Sequence, residues 1–550
     1  MMASSLLTSR RGVQTLLPSR PCLGLYFILI CIDAVFASEE LGSFDYPESM
    51  STMPAPVAQN ALTRDSFKPQ HVHISFGDSI QEINIVWATQ QVCKPKVQYG
   101  SHPWGLELTV VGKSIQFVEY NEQGLQNVHR VRLKDLLALT TYFYRVFCND
   151  HQVGPFYFQT PQAGNEWSPD FLLFGDLGIH SQSIPSLVAA AMSGNYTAVF
   201  HAGDIAYDMK HWDGLVGDYF MKLIEPLAST IPYLTCPGNH EIDFDSFVHY
   251  RYRFSMPNTD WPIPQDKMWY SIDIGPVHLI SYSSEVFFTN YGNFEKAQRD
   301  WLVKDLKAAN ANRLMTPWIV AIGHRPMYCS THIGDDCAKV DSLVRQGFEE
   351  IFRNSKVDLV IQAHEHNYER LWPMYQGNVT QHSYANPDVP VQIITGAGGS
   401  REGADVFDES ERPDWSAFRL DNSSLNSYGR LLVVNSTHVL WEQRSALDHT
   451  TLDSIWVRKD RNFSSPQNQM KEIDSQSDLA SRDSVFASRL LTIGLSVAGL
   501  LAVVVFVLVV RVLVKRRRKR ANARLWERNT VNFPHMKTLV LNYDSDDEFQ

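Results

Sequence analysis

Residues 198–207 read AVFHAGDIAY, and the rest of the chain is organised around this stretch. The apolar run at its start predicts a buried strand. Asp204 and Tyr207 follow at the point where that strand would end. Alone, an aspartate at a strand end is an ordinary turn residue, because short motifs often match by chance. The interpretation therefore depends on whether other strands of the chain end in a similar way.

Four other apolar runs are each followed by a side chain that can bind a metal. The runs and the motifs after them are residues 171–174 before GDLG (175–178), 232–234 before GNHE (238–241), 318–322 before GH (323–324) and 357–361 before HEH (364–366). Packing alone does not explain why five strands deliver oxygen or nitrogen ligands from one edge. Because loops at the carboxyl ends of strands build the binding sites of α/β folds, the pattern predicts a metal site there.

The region around these motifs, residues 168–398, predicts an α/β domain. Strands alternate with helical patterns, and the separation of Asp176 from Asp204 (204 − 176 = 28) is close to the length of one βαβ unit. Residues 294–311 predict an amphipathic helix. Its predicted apolar face consists of Phe294, Ala297, Trp301, Leu302 and Leu306.

Strand patterns dominate on both sides of this α/β region. Residues 68–162 contain short alternating segments and a tryptophan, which predict an all-β sandwich. Residues 399–459 form a strand-rich C-terminal segment of the same unit. Nothing in the predicted sandwich resembles a catalytic motif, so we interpret it as a packing or positioning module.

The N-terminus has the layout of a secretory signal. Basic residues precede an apolar run, and small residues follow, so residues 1–37 predict a signal peptide cleaved after Ala37. An uncleaved anchor is the alternative, and the acidic residues after position 37 favour cleavage. Residues 38–67 then predict a flexible leader.

A second apolar run, residues 490–510, carries no charge and is long enough to cross a bilayer. A basic cluster follows it directly, which places residues 511–550 in the cytosol by the positive-inside rule. Residues 460–488 predict a polar stalk. The chain is therefore expected to be a single-pass type I membrane protein whose main part lies outside the cell or in an organelle lumen. All glycosylation sequons precede the span, which agrees with this topology: Asn195, Asn378, Asn422, Asn435 and Asn462.

Composition and cysteine placement restrict the function classes further. The net charge of −11 argues against nucleic acid as the main partner. Cys93 and Cys148 both lie in the predicted sandwich, and an oxidising compartment would allow them to pair. Cys236 is left over and is expected to be buried and inert.

The ligand types point to two metals. A carboxylate can bridge two ions, and Asp204, in the middle of the motif order, is the candidate bridge. Tyr207 carries more information, because a phenol with an ordinary pKa near 10 ligates only a strongly acidic cation such as ferric iron. The alternative is that Tyr207 only packs against Trp212. With a different residue at position 207, a two-zinc or two-manganese site would be favoured.

The motif order over residues 68–458 resembles the purple acid phosphatases within the calcineurin-like metallophosphoesterases. The resemblance rests on GDLG, GDIAY, GNHE, GH and HEHNYER, the last covering residues 364–370. It implies a four-layer αββα catalytic domain preceded by a fibronectin type III-like domain. One departure is Ala363, where the family usually has glycine, which bears on fine geometry and leaves the ligands intact.

The resemblance also implies roles for the ligands. Ferric iron would be bound by Asp176, Tyr207 and His366, and a divalent metal (Zn²⁺, Fe²⁺ or Mn²⁺) by Asn239, His324 and His364. Asp204 would bridge the two ions. In an acid-operating enzyme of this kind, the catalytic domain would be extracellular or in an acidic organelle lumen.

The implied reaction is hydrolysis of a phosphate monoester by in-line attack of a metal-bound hydroxide. His240 and His332 are candidate donors to the phosphoryl or leaving-group oxygens. His332 rests only on spacing, and a structural histidine is the alternative. Cys329 and Cys337 bracket His332 and would form a small disulfide loop around it. Two other functions stay open: a phosphodiesterase or nucleotide pyrophosphatase on the same fold, and a receptor or adhesion ectodomain with little catalysis.

Overall fold

A computed structural model describes residues 67–118, 124–193, 196–243, 246–289, 294–331, 334–407, 412–420 and 426–460. These residues all belong to one compact unit. The predicted signal peptide, span and tail, and most of the predicted stalk and leader, lie outside the described residues. So do His332, Asn195, Asn422 and Asn462. Within the described ranges, no helix is long and apolar enough to cross a membrane.

The first part of the chain is an all-β sandwich of two four-stranded sheets, as predicted. One sheet has the order β1-β2-β6-β5 and the other β4-β3-β7-β8. The buried Trp87 lies in the core between them, with Val97 and Tyr144. The strands are β1 Gln70–Phe76, β2 Ile83–Thr89, β3 Pro95–Gly100, β4 Leu108–Val111, β5 Lys113–Val118, β6 Gly124–Leu133, β7 Thr141–Cys148 and β8 His151–Gln159.

The predicted disulfide of this sandwich is present. Cys93, just before β3, bonds to Cys148 at the end of β7, and both side chains are buried. The bond therefore joins the two neighbouring strands β3 and β7 at one end of their sheet.

The second part of the chain contains two further sheets flanked by helices. A six-stranded sheet has the order β11-β10-β9-β21-β22-β23 and a seven-stranded sheet β12-β13-β14-β15-β19-β16-β20. Their strands are β9 Asp170–Phe174, β10 Ala198–Ala202, β11 Tyr233–Cys236, β12 Tyr270–Ile274, β13 Val277–Ser281, β14 Trp318–Ile322, β15 Leu359–Gln362, β16 Tyr368–Leu371, β19 Val391–Thr395, β20 Ser416–Arg419, β21 Ser427–Asn435, β22 His438–Ser445 and β23 Thr451–Arg458. A short hairpin comprises β17 Met374–Tyr375 and β18 Asn378–Val379, and the helices are α1 Ile184–Met192, α2 Leu215–Ala228, α3 Val248–Arg253, α4 Phe294–Ala311 and α5 Leu343–Asn354.

Strand β14 shows why the two sheets stack as inner layers. All five of its side chains are buried, so the sheet is covered on both faces. Trp318 and Val320 belong to the core shared with the six-stranded sheet, while Ile319 belongs to a separate core with helices α4 and α5. Because side chains alternate along a strand, one apolar run supplies both cores. The result is the expected four-layer αββα order.

The buried face of α4 differs from the predicted one. Ala297, which was predicted to lie on the apolar face, is exposed, and the next residue, Gln298, is buried instead. The Gln298 side chain forms two hydrogen bonds with the backbone of Ser283. Its carbonyl oxygen accepts from the N–H at 2.7 Å, and its amide group donates to the C=O at 2.8 Å. Leu302 and Leu306 are buried as predicted. Hydropathy alone predicts that a glutamine is exposed. It does not show that hydrogen bonds to a distant part of the chain allow this side chain to be buried.

The sandwich packs on helix α2 of the catalytic part. The Tyr144 hydroxyl donates to the Ser229 carbonyl at 2.7 Å, and the Val72 N–H donates to Glu225 at 3.0 Å. These buried hydrogen bonds fix the orientation of the sandwich on helix α2 at an otherwise apolar interface. The sandwich is therefore attached to the face of the six-stranded sheet that α2 covers.

We expect the stability of the αββα unit to depend on His278, whose ring links β12, β13 and α4. It hydrogen-bonds Asp273 at 2.7 Å and Asp305 at 2.9 Å. Burial lowers the pKa of His278, but the two carboxylates outweigh burial and raise it to about 9. The stabilisation is thus fully present below the unfolded-state pKa near 6.5 and is lost as the pH rises through about 9.

His278→Gln should therefore lower the free energy of unfolding by about 1–2 kcal/mol near pH 6 and much less near pH 10. The expected loss of stability is limited because the Asp273 side chain is half exposed and solvent weakens its interaction with His278. Urea unfolding of the wild type and the variant at both pH values measures the difference. Equal destabilisation at the two pH values would contradict the assignment.

Candidate metal centre

The predicted ligands are delivered by the carboxyl ends of five strands that belong to two different sheets. In the six-stranded sheet, β9 precedes Asp176, β10 precedes Asp204 and Tyr207, and β11 precedes Asn239. In the seven-stranded sheet, β14 precedes His324, and β15 precedes His364 and His366. The structure brings all seven side chains together where the carboxyl ends of both sheets meet.

One group of ligand atoms converges on the ring of His324. Its Nε2 lies 3.1 Å from Asn239 Oδ1, 3.1 Å from His364 Nδ1 and 3.3 Å from Asp204 Oδ2. The other ring nitrogen, Nδ1, lies 2.9 Å from the Ala202 carbonyl. If Nδ1 donates to that carbonyl, Nε2 carries a lone pair that faces three other potential ligand atoms.

The second group consists of Asp176, Tyr207 and His366. The Tyr207 hydroxyl lies 2.7 Å from His366 Nε2 and 3.4 Å from Asp176 Oδ1. His366 Nδ1 lies 3.1 Å from the Gly403 carbonyl, which leaves Nε2 free to act as an acceptor. The seven ligands therefore fall into the two sets that the sequence predicted, and Asp204 lies beside the first set.

The backbone at the ligands is held in an uncommon conformation. Four of the seven ligands have left-handed φ angles: Asp176 (57°), Asp204 (49°), Tyr207 (55°) and His364 (70°). Non-glycine residues seldom adopt such angles, and they persist only where surrounding contacts determine them. The strain is concentrated where the strands must turn sharply to aim side chains at one point.

Glu241 holds the turn that carries Asp204. Its carboxylate accepts the N–H groups of Asp204 at 2.8 Å, Ile205 at 2.9 Å and Gly238 at 2.9 Å. The N–H of His240 in turn donates to Asp204 at 2.9 Å. Burial, followed by the charge of Asp204, raises the pKa of Glu241 to about 8. The GNHE motif thus uses its last residue to fix the loop after β10.

His240 lies at the edge of the ligand set with its ring beside Tyr207, the ring centroids being 4.5 Å apart. Its Nδ1 is 3.4 Å from Asp208, and its Nε2 is 3.6 Å from Glu402. Burial lowers the pKa of His240, but the carboxylates of Asp204, Asp208 and Glu402 outweigh burial and raise it to about 9. A cationic imidazolium is therefore the stable form of this side chain.

A loop between the two cysteines Cys329 and Cys337 closes one side of the site. Their predicted disulfide is present, and Cys236 is free and buried, as expected. Thr331, directly before His332, donates to Glu365 at 2.5 Å. Asp335 accepts a hydrogen bond from the His364 ring, and Arg325 lies 3.0 Å from the same ring nitrogen. The loop is thus tied to the HEH motif on both sides of His332.

Four of these groups were missed by the sequence analysis. Glu241 was quoted within GNHE without a role, and Asp208 follows Tyr207 directly, so their positions beside ligands were the available signal. Asp335 and Glu402 had no such signal, because their proximity to His364 and His240 arises only from tertiary packing.

Alanine is accommodated at position 363, where the family usually has glycine, because the residue that faces it, Gly175, has no side chain. A Cβ added to Gly175 would lie 2.3 Å from the Ala363 Cβ, which means that the two backbones approach closely at this point. The methyl of Ala363 occupies the space beside Gly175 and is fully buried. The ligands on either side, Asp176 and His364, keep their contact, since the His364 N–H donates to Asp176 at 2.9 Å.

The donor set fits metal cations. A second imidazole nitrogen, an amide oxygen and a carboxylate oxygen lie within 3.3 Å of the His324 Nε2 atom, and nitrogen and oxygen atoms of these kinds are ligands for divalent metals. The field at the site also favours positive charge. Burial lowers the pKa of His324, yet Asp204 and Asp176 outweigh burial and raise it to about 10. A site that stabilises a buried proton this strongly is equally suited to a cation.

Three family models match consecutive parts of the chain. They are described as the N-terminal domain of purple acid phosphatases (residues 69–171), the calcineurin-like phosphoesterases (169–368) and the C-terminal part of iron/zinc purple acid phosphatase-like proteins (389–454). Together with the fold and the ligand set, they define a metal-dependent phosphoesterase.

Individual relatives agree with these matches. The chain is 40% identical to human acid phosphatase type 7 over 72% of its own length and 93% of the relative's. It is 29% identical to purple acid phosphatase 22 of Arabidopsis thaliana, over 79% of this chain and 95% of that protein. The fold matches a purple acid phosphatase from yellow lupin seeds with a TM-score of 0.62, at 21% identity, over 72% of this chain and 75% of that chain.

The chain belongs to the purple acid phosphatase family. It is a metal-dependent phosphatase with the metallophosphoesterase fold and an N-terminal all-β domain, and the family has a binuclear, iron-containing metal centre.

The close approach of Gly175 and Ala363 can be tested by a double-mutant cycle. Gly175→Ala should lower the free energy of unfolding by about 1–3 kcal/mol, because the new methyl overpacks the space between the strands. Adding Ala363→Gly should recover part of this loss, although the Ala202 carbonyl remains 3.0 Å from the new Cβ. Thermal unfolding of both single variants and the double variant gives the coupling, and strictly additive effects would contradict the contact.

Proposed function

We propose that this chain hydrolyses phosphate monoesters in acid solution at a centre of ferric iron and a divalent metal. Asp176, Tyr207 and His366 would hold the iron, and Asn239, His324 and His364 the divalent ion, which is Zn²⁺, Fe²⁺ or Mn²⁺. Asp204 would be shared between the two. The observation that carries the proposal is the separation of the ligands into two sets, only one of which contains a phenol.

A bound metal pair supplies a nucleophile from water at acid pH and neutralises charge on the phosphoryl oxygens. The rest of the work falls to the chain's own residues. His240, charged and held by Asp208 at 3.4 Å, would donate a hydrogen bond from Nε2 to a phosphoryl or leaving-group oxygen. Glu241 would keep Asp204 in place through three backbone N–H groups.

His332 is proposed as a second donor. The support is indirect: the residues around it are anchored to the ligand set by the Thr331–Glu365 and Asp335–His364 hydrogen bonds. A loop anchored at both ends would hold a side chain near the site without a large entropy cost on substrate binding.

We propose further that the catalytic part is anchored in a membrane by residues 490–510, with glycans on its luminal or extracellular side. The support comes from the sequence, where the apolar run and the basic cluster after it have the pattern of a stop-transfer segment. Two of the sequon asparagines, Asn378 and Asn435, are exposed in the structure and thus accessible to modification. The chain would then operate outside the cell or in an acidic organelle lumen.

The purified protein should contain iron and show a visible charge-transfer band from the Tyr207 phenolate to Fe³⁺. Tyr207→Phe should remove the band. Tyr375→Phe, whose hydroxyl donates to Glu350 at 2.6 Å away from the ligand set, should keep it as a matched control. Metal analysis, absorption spectra and rates on a panel of phosphomonoesters, diesters and pyrophosphates test the proposal together. A colourless wild type with two zinc ions and no iron, or a preference for diesters, would contradict it.

Asn239 and His240 are neighbours with different expected roles. Asn239→Ala should lower both bound divalent metal and activity, because it removes an oxygen ligand. His240→Ala should keep both metals and lower kcat by about a hundredfold or more, because it removes a proton donor. Metal content measured beside the rate separates the two variants. Loss of a metal from His240→Ala would show that its role is structural.

A further inference from the structure

Two loops at one end of the β-sandwich expose large apolar side chains. Trp104 is 87% exposed, Leu137 69% and Leu139 61%. Trp104 lies in the loop after β3, and the two leucines lie in the loop before β7. The loops are neighbours, because Gly100 at the end of β3 pairs with Phe143 near the start of β7. Single exposed apolar residues are normal, but three on adjacent loops indicate an interaction surface. We call these three residues the apolar end.

The apolar end lies on the side of the molecule where the described chain finishes. The Leu139 N–H donates to the Pro161 carbonyl at 3.2 Å. Four residues further on, Asn165 donates to the Met315 carbonyl at 2.9 Å. The ammonium of Lys459 lies 4.0 Å from the ring centroid of Trp318, three residues after Met315. A short series of contacts therefore links the apolar end to the last described residues.

This side is opposite to the metal centre. Trp318 begins β14, and His324 follows the carboxyl end of the same strand. A strand of five residues spans about 16 Å, so the ligands and the chain end lie at opposite ends of the sheet. A surface that covered the apolar end would leave the metal centre accessible.

We propose that the apolar end contacts the bilayer in which the chain is anchored, with Trp104, Leu137 and Leu139 inserted among the headgroups of zwitterionic phospholipids. The inference rests on the proposed anchoring by residues 490–510. Only residues 461–489 separate the last described residue from the proposed span, and a polar linker of that length spans about 30 Å on average, so the chain end stays close to the membrane. The side that carries the chain end is therefore the one that faces the lipid.

The chemistry of the apolar end favours lipid over a protein partner. Tryptophan and leucine are the side chains that enter the headgroup and acyl boundary, and insertion needs no shape-complementary surface. Lys134 in the same loop has a side chain that is 57% exposed; its ammonium lies 3.7 Å from Glu82 and can turn from this exposed ion pair to a lipid phosphate. A standard protein interface requires about 800 Å² from each partner, which three separate side chains do not provide. The net charge of −11 disfavours an anionic surface.

The test uses the full-length chain reconstituted in phosphatidylcholine vesicles that contain a photoactivatable diazirine phospholipid. After illumination, lipid adducts are located by peptide mass spectrometry. We expect adducts in residues 101–107 and 134–140. The triple variant Trp104→Ser, Leu137→Ser, Leu139→Ser should reduce their yield by about tenfold or more, because the apolar transfer energy of all three side chains is lost.

Val340 provides the matched control. It is 98% exposed and follows the Cys329–Cys337 loop, so it lies on the side of the metal centre. Val340→Ser should leave the adduct yield in the two sandwich loops unchanged. Phosphatase activity should be the same in the wild type and both variants, which shows that the substitutions do not unfold the protein.

Carbonate extraction of the vesicles separates the two proposals. A chain that is extracted would overturn the anchoring and the lipid contact together. A chain that is retained but labelled equally at Val340 and at the apolar end would overturn the lipid contact alone.

The experiment is repeated after enzymatic removal of the N-glycans, because the turn that carries Asn435 borders the chain end, where the Lys459 N–H donates to Thr437 at 3.0 Å. Adducts at the apolar end in both samples support the proposal. Adducts that form only after glycan removal overturn it, since the natural glycans would then keep this side away from the bilayer.

Discussion

The constraint on which the structure depends is the placement of the Asp204 carboxylate, fully buried, beside the imidazoles of His324 and His364. A buried carboxylate is costly unless it is hydrogen-bonded or paired with a cation. The protein satisfies it with the His240 N–H and with the neighbouring rings. The charge of Asp204 affects its surroundings in turn, since it lies among the causes that raise the pKa of Glu241, His240 and His324. The metal centre is therefore an electrostatic unit whose members cannot be changed one at a time without altering the others.

Much of this site could be predicted from the sequence because its ligands follow strand ends. A buried strand is readable as an apolar run, and the residue after it must lie at the sheet edge. Asp176, Asn239 and His324 were found in this way without knowledge of tertiary structure. The expectation of ferric iron then rested on Tyr207, because a phenolate ligand requires a strongly acidic cation. Each motif alone could match by chance, and the signal was specific because five of them follow strand ends in one chain.

The rest depends on pairings between distant parts of the chain. The strand-rich segment that contains β21–β23 was predicted to belong to the catalytic unit, but the pairing of β21 with β9, which completes the six-stranded sheet, was not predicted. The apolar pattern of β9 does not show which other strand pairs with it in the sheet. Gln298 was missed for a related reason, because its burial depends on the Ser283 backbone, fifteen positions earlier. The roles of Asp335 and Glu402 likewise follow from contacts across the fold.

The departure at position 363 shows how such distant contacts compensate for a local change. Alanine restricts the backbone more than glycine does, and His364 after it adopts a φ angle of 70°. The added methyl is accommodated because position 175 has no side chain. A substitution that looks unfavourable within one motif is thus compatible with the metal centre through a residue in another motif.

The pairing of β9 with β21 also determines when the enzyme can assemble. Strand β9 carries the chain into Asp176 and lies in the middle of its sheet, between β10 and β21. During synthesis, one edge of β9 stays open until residues 427–435 have been made. The sandwich is complete by Gln159 and can fold early, whereas the sheet that supports Asp176 and Asp204 closes only near the end of translation. The sheet edge beside Asp176 therefore stays exposed until the catalytic part is almost complete, and an unpaired strand edge of this kind favours aggregation of the partly synthesised chain.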